Sequence, residues 1–82
     1  MIEVRYFAWL RERIGERGET VETTAATPRE LIAELRAKSE AHDLAFSDIA
    51  SIRVALDQTL AEMDAPLEGV REVAFFPPMT GG

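Results

Sequence analysis

Residues 72–82 read Glu-Val-Ala-Phe-Phe-Pro-Pro-Met-Thr-Gly-Gly, and this stretch decides the fold. Its apolar first half, Glu72–Phe76, predicts a strand whose alternate side chains face the core. The next two residues are prolines, which lack a backbone N–H, so the strand ladder should stop there and the chain should leave extended. We therefore expect a folded domain over residues 1–76 and an extended tail over residues 77–82.

The tail ends in Gly81 and Gly82, and then in a free α-carboxylate. Glycine has no side chain to clash with a narrow channel, and its backbone reaches conformations that are closed to other residues. Together with Pro77, Pro78 and Thr80, the glycines form a terminus suited to threading into the active site of another protein. The central hypothesis from the residues is that the reactive group is the main-chain carboxyl of Gly82.

The composition fits one small globular domain and excludes several functions. The chain has 82 residues, of which 46% are apolar and 29% charged. Its net charge of −6 argues against nucleic-acid binding and favours a basic protein partner. With no cysteine and one histidine, a thiol nucleophile, a zinc–cysteine site and a histidine-rich metal site are excluded, so we expect no metal. Neither a membrane-spanning run nor a signal peptide is evident, so we expect a cytoplasmic protein.

Hydrophobic alternation and turn residues predict the remaining elements. The segment Ile2–Leu10 alternates as a first strand, and Glu19–Thr24 is a second strand antiparallel to it. Thr27-Pro28-Arg29-Glu30 forms a capping box with proline at the first helical position, which predicts a helix from Pro28 to about Glu40. The other predicted elements are a short helix at Trp9–Gly15, an irregular stretch at Ala41–Ser51, and strands at Ile52–Leu56 and Thr59–Ala61.

This element order, β, β, α, β, β, β, predicts the β-grasp or ubiquitin-like arrangement. It is an α+β fold in which one main helix packs on one face of a mixed sheet of about five strands, with short extra helical turns. The first and last strands are both strongly apolar, so we place them side by side at the sheet centre. Their connection passes through the helix, which favours a parallel pair.

Strand parity separates a helix-facing set of side chains from an outward-facing set. Phe7 and Phe76 fall in the outward set on the two central strands, and Leu60 can join them from the short strand. Scattered surface apolar residues are common, but these lie at the root of the tail, which favours a contact site. Trp9 shares the parity of Phe7, and for it an interface position and a partly buried position both remain open.

The other candidate residues are interpreted as structural or solvated. Leu44, Phe46 and Ile49 are expected to pack under the main helix. His42 is expected in solvent at a helix end, because its acidic neighbour is adjacent in sequence and not a positioned catalytic partner. The remaining acidic candidates are assigned to exposed loops and turns, namely Glu16, Glu19, Glu62 and Asp64, together with the basic Arg17.

The chain also resembles a known family. Residues 72–82, the start Ile2–Ala8 and the segment Val54–Gln58 are similar to the small subunits of molybdopterin synthase, the MoaD-like sulfur carriers. The resemblance covers the whole chain, and the Phe-Phe-Pro-Pro-x-Thr-Gly-Gly end is its most specific motif. The family usually has Asn at the position of Asp57, and often Asp-Gly-Asp where this chain has residues 69–71.

The resemblance implies a function for the terminus. In the family, an ATP-dependent activating enzyme of the ubiquitin-activating type adenylates the terminal carboxylate, and a sulfur donor protein converts the acyl-adenylate to a thiocarboxylate. The terminus then enters the active site of the large subunit and gives its sulfur to cyclic pyranopterin monophosphate, and two deliveries form the dithiolene of molybdopterin. On this chain the resemblance places the transient adenylate and the thiocarboxylate at Gly82, and the contact surface for the large subunit at Phe7, Leu60 and Phe76. The domain itself would bind no cofactor, and the catalytic site would lie on the large subunit.

Two alternatives use the same fold. One is a ubiquitin-like sulfur carrier for thiamin synthesis, tRNA thiolation or a tungsten cofactor, and the other is a ubiquitin-like protein modifier or docking module. The Phe-Phe-Pro-Pro segment favours molybdopterin synthesis. A standalone enzyme is disfavoured, because the chain offers no plausible nucleophile, base pair or metal set.

Overall fold

A five-stranded mixed sheet with the order β2-β1-β5-β3-β4 forms the framework of the computed structural model, which describes residues 1–78. The strands β1 and β5 are parallel neighbours at the centre, and the other pairs are antiparallel. This is the predicted β-grasp arrangement, which the structure confirms. The strands are β1 (Ile2–Tyr6), β2 (Gly18–Val21), β3 (Arg53–Leu56), β4 (Thr59–Ala61) and β5 (Glu72–Phe76).

Within residues 1–78, three helices and one 3₁₀ turn accompany the sheet. They are α1 (Trp9–Ile14), α2 (Pro28–Arg36), α3 (Glu40–Ala45) and the 3₁₀ turn Ile49–Ser51. The predicted cap of α2 is confirmed, since the Thr27 side chain accepts a hydrogen bond from the Glu30 N–H at 3.2 Å and Pro28 follows the cap.

The predicted helix end at Glu40 is wrong, and so is the irregular stretch at Ala41–Ser51. The helix α2 ends at Arg36, and Ser39 adopts an extended conformation with φ of −162°. Its side chain then accepts a hydrogen bond from the His42 N–H at 3.1 Å, so Ser39 caps a new helix, α3. The break lets α3 turn away from α2 and pack beside α1.

The first two strands are also shorter than predicted. Strand β1 stops at Tyr6 and not at Leu10, because Ala8 has a φ of 53° and turns the chain into α1. Strand β2 begins at Gly18, where a Cβ atom would lie 2.5 Å from the carbonyl oxygen of Val4. Only glycine fits this close approach between the two strands.

The core lies between the sheet and the helices. Phe46 is fully buried as predicted, and its ring meets that of Phe75 at 5.1 Å in an edge-to-face arrangement. Leu44, in contrast, is 66% exposed, so the prediction that it packs under the main helix is wrong. The other large side chains with almost no exposure are Val4, Tyr6, Leu10, Leu31, Leu35, Ile52, Val54 and Val73.

The turn between β3 and β4 explains how the chain tolerates aspartate at position 57. Asp57 and Gln58 both have positive φ, 49° and 71°, as in a type I′ hairpin, and Asp accepts this conformation almost as readily as Asn. The Asp57 carboxylate accepts hydrogen bonds from the Arg71 and Glu72 N–H groups at 3.1 and 3.0 Å. The hairpin is thereby tied to the start of β5.

Candidate functional site

The candidate site is an open groove on the sheet face opposite the helices. Cross-strand pairing sets Arg5 beside Ala74, Ala74 beside Ala55, and Ala55 beside Leu60, so these four side chains share that face. The groove has a volume of about 720 Å³. It is lined by Arg5, Phe7, Ala8, Ala55, Gln58, Glu72, Ala74, Phe76, Pro77 and Pro78.

The local structure explains why two phenylalanines stand at this groove. Phe76 is the last residue of β5, and its side chain points away from the core on which Phe75 packs. The Phe7 N–H donates to the Phe75 carbonyl at 3.1 Å, which holds Phe7 beside β5 before the turn at Ala8. Phe7 is 44% exposed, although an aromatic ring normally gains from burial. A partner surface could supply that burial.

The structure brings together four of the eight residues that the sequence assigned to the tail and the contact surface. Phe7, Phe76, Pro77 and Pro78 line the same groove, at the point where the tail leaves the sheet. Leu60 lies on the same sheet face and is 69% exposed, but it stands on the edge strand β4 outside the groove wall. Three further predicted residues lie outside the described part of the chain, namely Thr80, Gly81 and Gly82.

Several groove residues were missed by sequence reasoning. The small side chains of Ala55 and Ala74 form the floor of the groove, and Gln58 borders the groove from the β3–β4 turn. Arg5 and Glu72 form an ion pair at 3.5 Å on its rim. The alternation of each strand predicts which face of the sheet a residue lies on. Only the observed strand register shows that these groove residues lie beside one another.

Trp9, for which two positions were open, does not line this groove. It is half-buried against the core, and the Arg13 guanidinium lies 4.6 Å from its ring centroid in a cation–π contact. The partly buried position is therefore the correct one.

A polar cluster on the helix side of the sheet contradicts two predictions. Glu19 lies in β2 and not in a solvated turn, and His42 is only 9% exposed and not in solvent. The Tyr6 hydroxyl donates to Glu19 Oε2 at 2.8 Å, His42 Nε2 lies 2.8 Å from the same oxygen, and Lys38 pairs with Oε1. His42 Nδ1 lies 2.7 Å from the hydroxyl of Ser39, the α3 cap. The cluster ties α3 to the edge of the sheet.

The contacts of Glu19 control its ionisation. Burial alone would raise its pKa, but hydrogen bonds from its three partners and the charge of Lys38 outweigh burial and lower the pKa from 4.5 to about 2. For Tyr6, burial first and the Glu19 contact second raise the pKa above its ordinary value of 10.0. Over the neutral range Glu19 is therefore charged and Tyr6 is neutral.

This cluster predicts a loss of stability in acid. Because the pKa of Glu19 is lower in the folded state than in the unfolded state, its contribution is complete above pH 4.5 and falls as the pH drops towards about 2. We expect Glu19→Gln to lower the free energy of unfolding by about 1–3 kcal/mol at pH 7, and by clearly less at pH 3. Urea unfolding of both proteins at the two pH values measures this. If Glu19→Gln lowered the free energy of unfolding equally at pH 7 and pH 3, the charge of Glu19 would not contribute to stability.

The remaining acidic candidates form no second site. Glu62 and Asp64 are exposed, as predicted, and Asp64 makes a two-pronged ion pair with Arg29 at 2.8 and 3.1 Å. Within residues 1–78, no group of three His, Asp or Glu side chains is placed to hold a metal ion. In the same part of the chain, no helix is long and apolar enough to cross a membrane.

Comparison with known proteins agrees with this geometry. Residues 4–82 match the model of the ThiS family. The chain is similar to the molybdopterin synthase sulfur carrier subunit of Escherichia coli K12, with 40% identity over 82 residues and all of both chains covered. It is also similar to the crystal structure of SAMP1 from Haloferax volcanii, with a TM-score of 0.75, 26% identity, and 99% and 98% of the two chains covered.

A solved complex shows a relative with its partner. A chain of the complex of subunits 1 and 2 of the molybdopterin-converting factor from Helicobacter pylori is similar to this one, with a TM-score of 0.61 and 26% identity. The match covers 99% of this chain and 97% of that chain.

Proposed function

Because this chain belongs to the ThiS family, we propose that it is the sulfur carrier subunit of a molybdopterin synthase. The observation that carries the proposal is the similarity along the entire length to a curated sulfur carrier subunit. The Phe-Phe-Pro-Pro-x-Thr-Gly-Gly end of this chain is consistent with it. The fold supports it, because the segment before the tail is a central strand. A tail that starts from such a strand is presented by a rigid base.

The chemistry starts from the terminal carboxylate. A carboxylate is ionised at neutral pH and is a poor electrophile, so it must first be activated. An oxygen of the Gly82 carboxylate attacks the α-phosphorus of ATP in an activating enzyme, and pyrophosphate leaves. The terminal sulfur of a persulfide on the donor protein then attacks the acyl carbon, and AMP leaves. A thiol attacks the donor sulfur of the resulting acyl disulfide, which releases the thiocarboxylate and leaves a disulfide on the donor. In the large subunit this sulfur passes to cyclic pyranopterin monophosphate, and the carboxylate is regenerated once water replaces the lost sulfur.

The residues of the domain fit a role in which partner proteins supply the catalytic groups and this chain supplies the terminal carboxylate. The chain contains no cysteine, so sulfur would travel on the terminus and not on a thiol side chain. The prolines at the groove wall stiffen the start of the tail, which limits the entropy lost when the tail enters a channel. The net charge of −6 suits basic partner surfaces, as expected of sites that also bind ATP or a phosphorylated pterin precursor.

The large subunit is the partner that best fits the groove. The groove is mainly apolar, with one ion pair at its rim, which is the composition of a protein–protein contact. The complex of subunits 1 and 2 from H. pylori supports this assignment. We propose that Phe7 and Phe76 insert into that subunit, with Leu60 at the margin. The activating enzyme and the sulfur donor are further proposed partners, which meet the same terminus.

A second candidate is a ubiquitin-like protein modifier. The specific observation in its favour is the likeness to SAMP1, with 26% identity over nearly the whole chain. In a modifier, the activated terminal carboxyl would react with a lysine amine of a target protein. In a sulfur carrier, the same carboxyl would accept sulfur instead.

Reconstitution distinguishes the two. The protein is incubated with an activating enzyme, ATP and a sulfur donor, and then with the large subunit and cyclic pyranopterin monophosphate. We expect molybdopterin to form only when every component is present. Covalent adducts on lysines of added proteins, with no molybdopterin, would support the modifier and reject the carrier for this pathway.

A further inference from the structure

Strand β2 is an open edge of the sheet. Within residues 1–78 it pairs with β1 alone. The Tyr6 N–H donates to the Arg17 carbonyl at 2.8 Å, and bonded pairs alternate along an antiparallel ladder, so Glu19 and Val21 direct their backbone groups towards β1. Thr20 therefore directs its N–H and C=O outwards, where an extended chain could bond to them.

A groove of about 390 Å³ lies beside this edge, between β2 and α2. Val21 gives it a part-exposed apolar side chain, which lies over the buried Leu31 and Leu35. Two contacts join the β2 side of the groove to the α2 side. The Thr23 hydroxyl donates to Glu34 Oε1 at 2.6 Å, and Lys38 forms an ion pair with Glu19. The strand and the helix are thus held at a fixed separation, and the groove is preformed.

The charge of this groove selects its ligand. Glu22, Glu34 and Lys38 line it, and the charge of Lys38 is already matched by Glu19. The charges left for a ligand are those of the exposed carboxylates Glu22 and Glu34. A second copy of this chain would bring the same two carboxylates and a further net charge of −6, so self-pairing is disfavoured.

We propose that β2 and its groove bind an extended peptide segment with basic side chains, which adds to the sheet as a sixth strand. The segment exchanges backbone hydrogen bonds with Thr20, sets an apolar side chain against Val21, and places Lys or Arg beside Glu22. This surface is at the β2 edge of the sheet, and the hairpin of β3 and β4 forms the opposite edge. It shares no lining residue with the groove that Phe7 and Phe76 line. The proposal is independent of the sulfur carrier function.

The test uses a blocked seven-residue peptide of alternating lysine and valine as the probe. Titrated into the ¹⁵N-labelled protein, it is expected to shift the amide resonances of Thr20 and Glu22 most strongly. A peptide with glutamate in place of lysine should produce no such shifts. Perturbations centred on Ala74 and Phe76, with those of Thr20 unmoved, would place the ligand in the other groove and overturn the proposal.

Two variants separate charge recognition from strand addition. The variant Glu22→Lys should weaken binding about fivefold or more, whereas Glu12→Lys, which changes the net charge equally on another exposed surface, should change it less than about twofold. Equal weakening in both would mean non-specific attraction and would overturn the proposal.

The variant Thr20→Pro removes the outward N–H, which an edge strand tolerates. Its melting temperature is measured first, to show that the variant is folded. We then expect the probe peptide no longer to shift the amide resonance of Glu22. Unaltered binding by the folded variant would exclude strand addition. If the variant does not fold, a probe peptide N-methylated at its central residue replaces it, and unaltered binding of that peptide would equally overturn the proposal.

Discussion

Deletion of Gly82 is expected to abolish molybdopterin formation while leaving the melting temperature nearly unchanged. The physical reason is that activation and sulfur transfer both need a carboxyl at a set distance from the folded domain, and removal of one residue withdraws it by about 3.5 Å. The described core involves residues 2–75, so the deletion removes none of its contacts. Product formation in the reconstituted system and thermal unfolding are the two measurements.

A matched variant keeps every residue of the chain and moves only the carboxyl. Adding one alanine after Gly82 preserves the complete tail motif, and we expect the same loss of activity. If either variant formed product at a rate close to that of the unmodified protein, the terminal carboxyl could not be the reactive group.

The substitution Phe76→Asp is expected to weaken binding of the large subunit by about 30-fold or more, which corresponds to about 2 kcal/mol. It places a charge in the middle of an apolar groove, where binding would remove the carboxylate from water without a partner. The free energy of unfolding should fall by less than the free energy of binding, because Phe76 ends β5 and faces away from the core on which Phe75 packs. Calorimetric titration gives the affinity, and urea unfolding gives the stability.

Leu44→Asp is the control for this substitution. Leu44 is also a large apolar residue, it is 66% exposed, and it lies on α3 on the other side of the sheet from the groove. We expect its affinity for the large subunit to match that of the unmodified protein. The groove would be the wrong surface if Phe76→Asp bound as tightly as Leu44→Asp.

The strand pattern of the sequence predicted the sheet and the two phenylalanines of the groove. Alternation assigned Val73 and Phe75 to the core and Phe76 to the outer face, and the structure confirms all three positions. Such inference succeeds because side chains in a strand alternate strictly between faces. It could not find the groove floor, since Ala55 and Ala74 are inconspicuous until the register of β3 against β5 places them together.

The helical half of the chain was predicted less well, for reasons of local competition and tertiary contact. Ser39 interrupts a segment of good helix formers, and its value as a cap outweighs continuation of α2. His42 and Glu19 are 23 positions apart, and each alone has the character of a surface residue. Only their mutual contact, with Tyr6 and Lys38, makes burial favourable, and no local pattern encodes such a contact.

The most direct test of the central claim is the intact mass of the C-terminal peptide after incubation with an activating enzyme, ATP and a sulfur donor. The account predicts a mass increase equal to the replacement of one oxygen by one sulfur, located on the peptide that ends in Gly82 and absent when ATP is omitted. The account would be contradicted if the terminal peptide kept its mass after this incubation while the same mixture formed molybdopterin once the large subunit and cyclic pyranopterin monophosphate were added. Sulfur found on any other peptide of the chain would also contradict it.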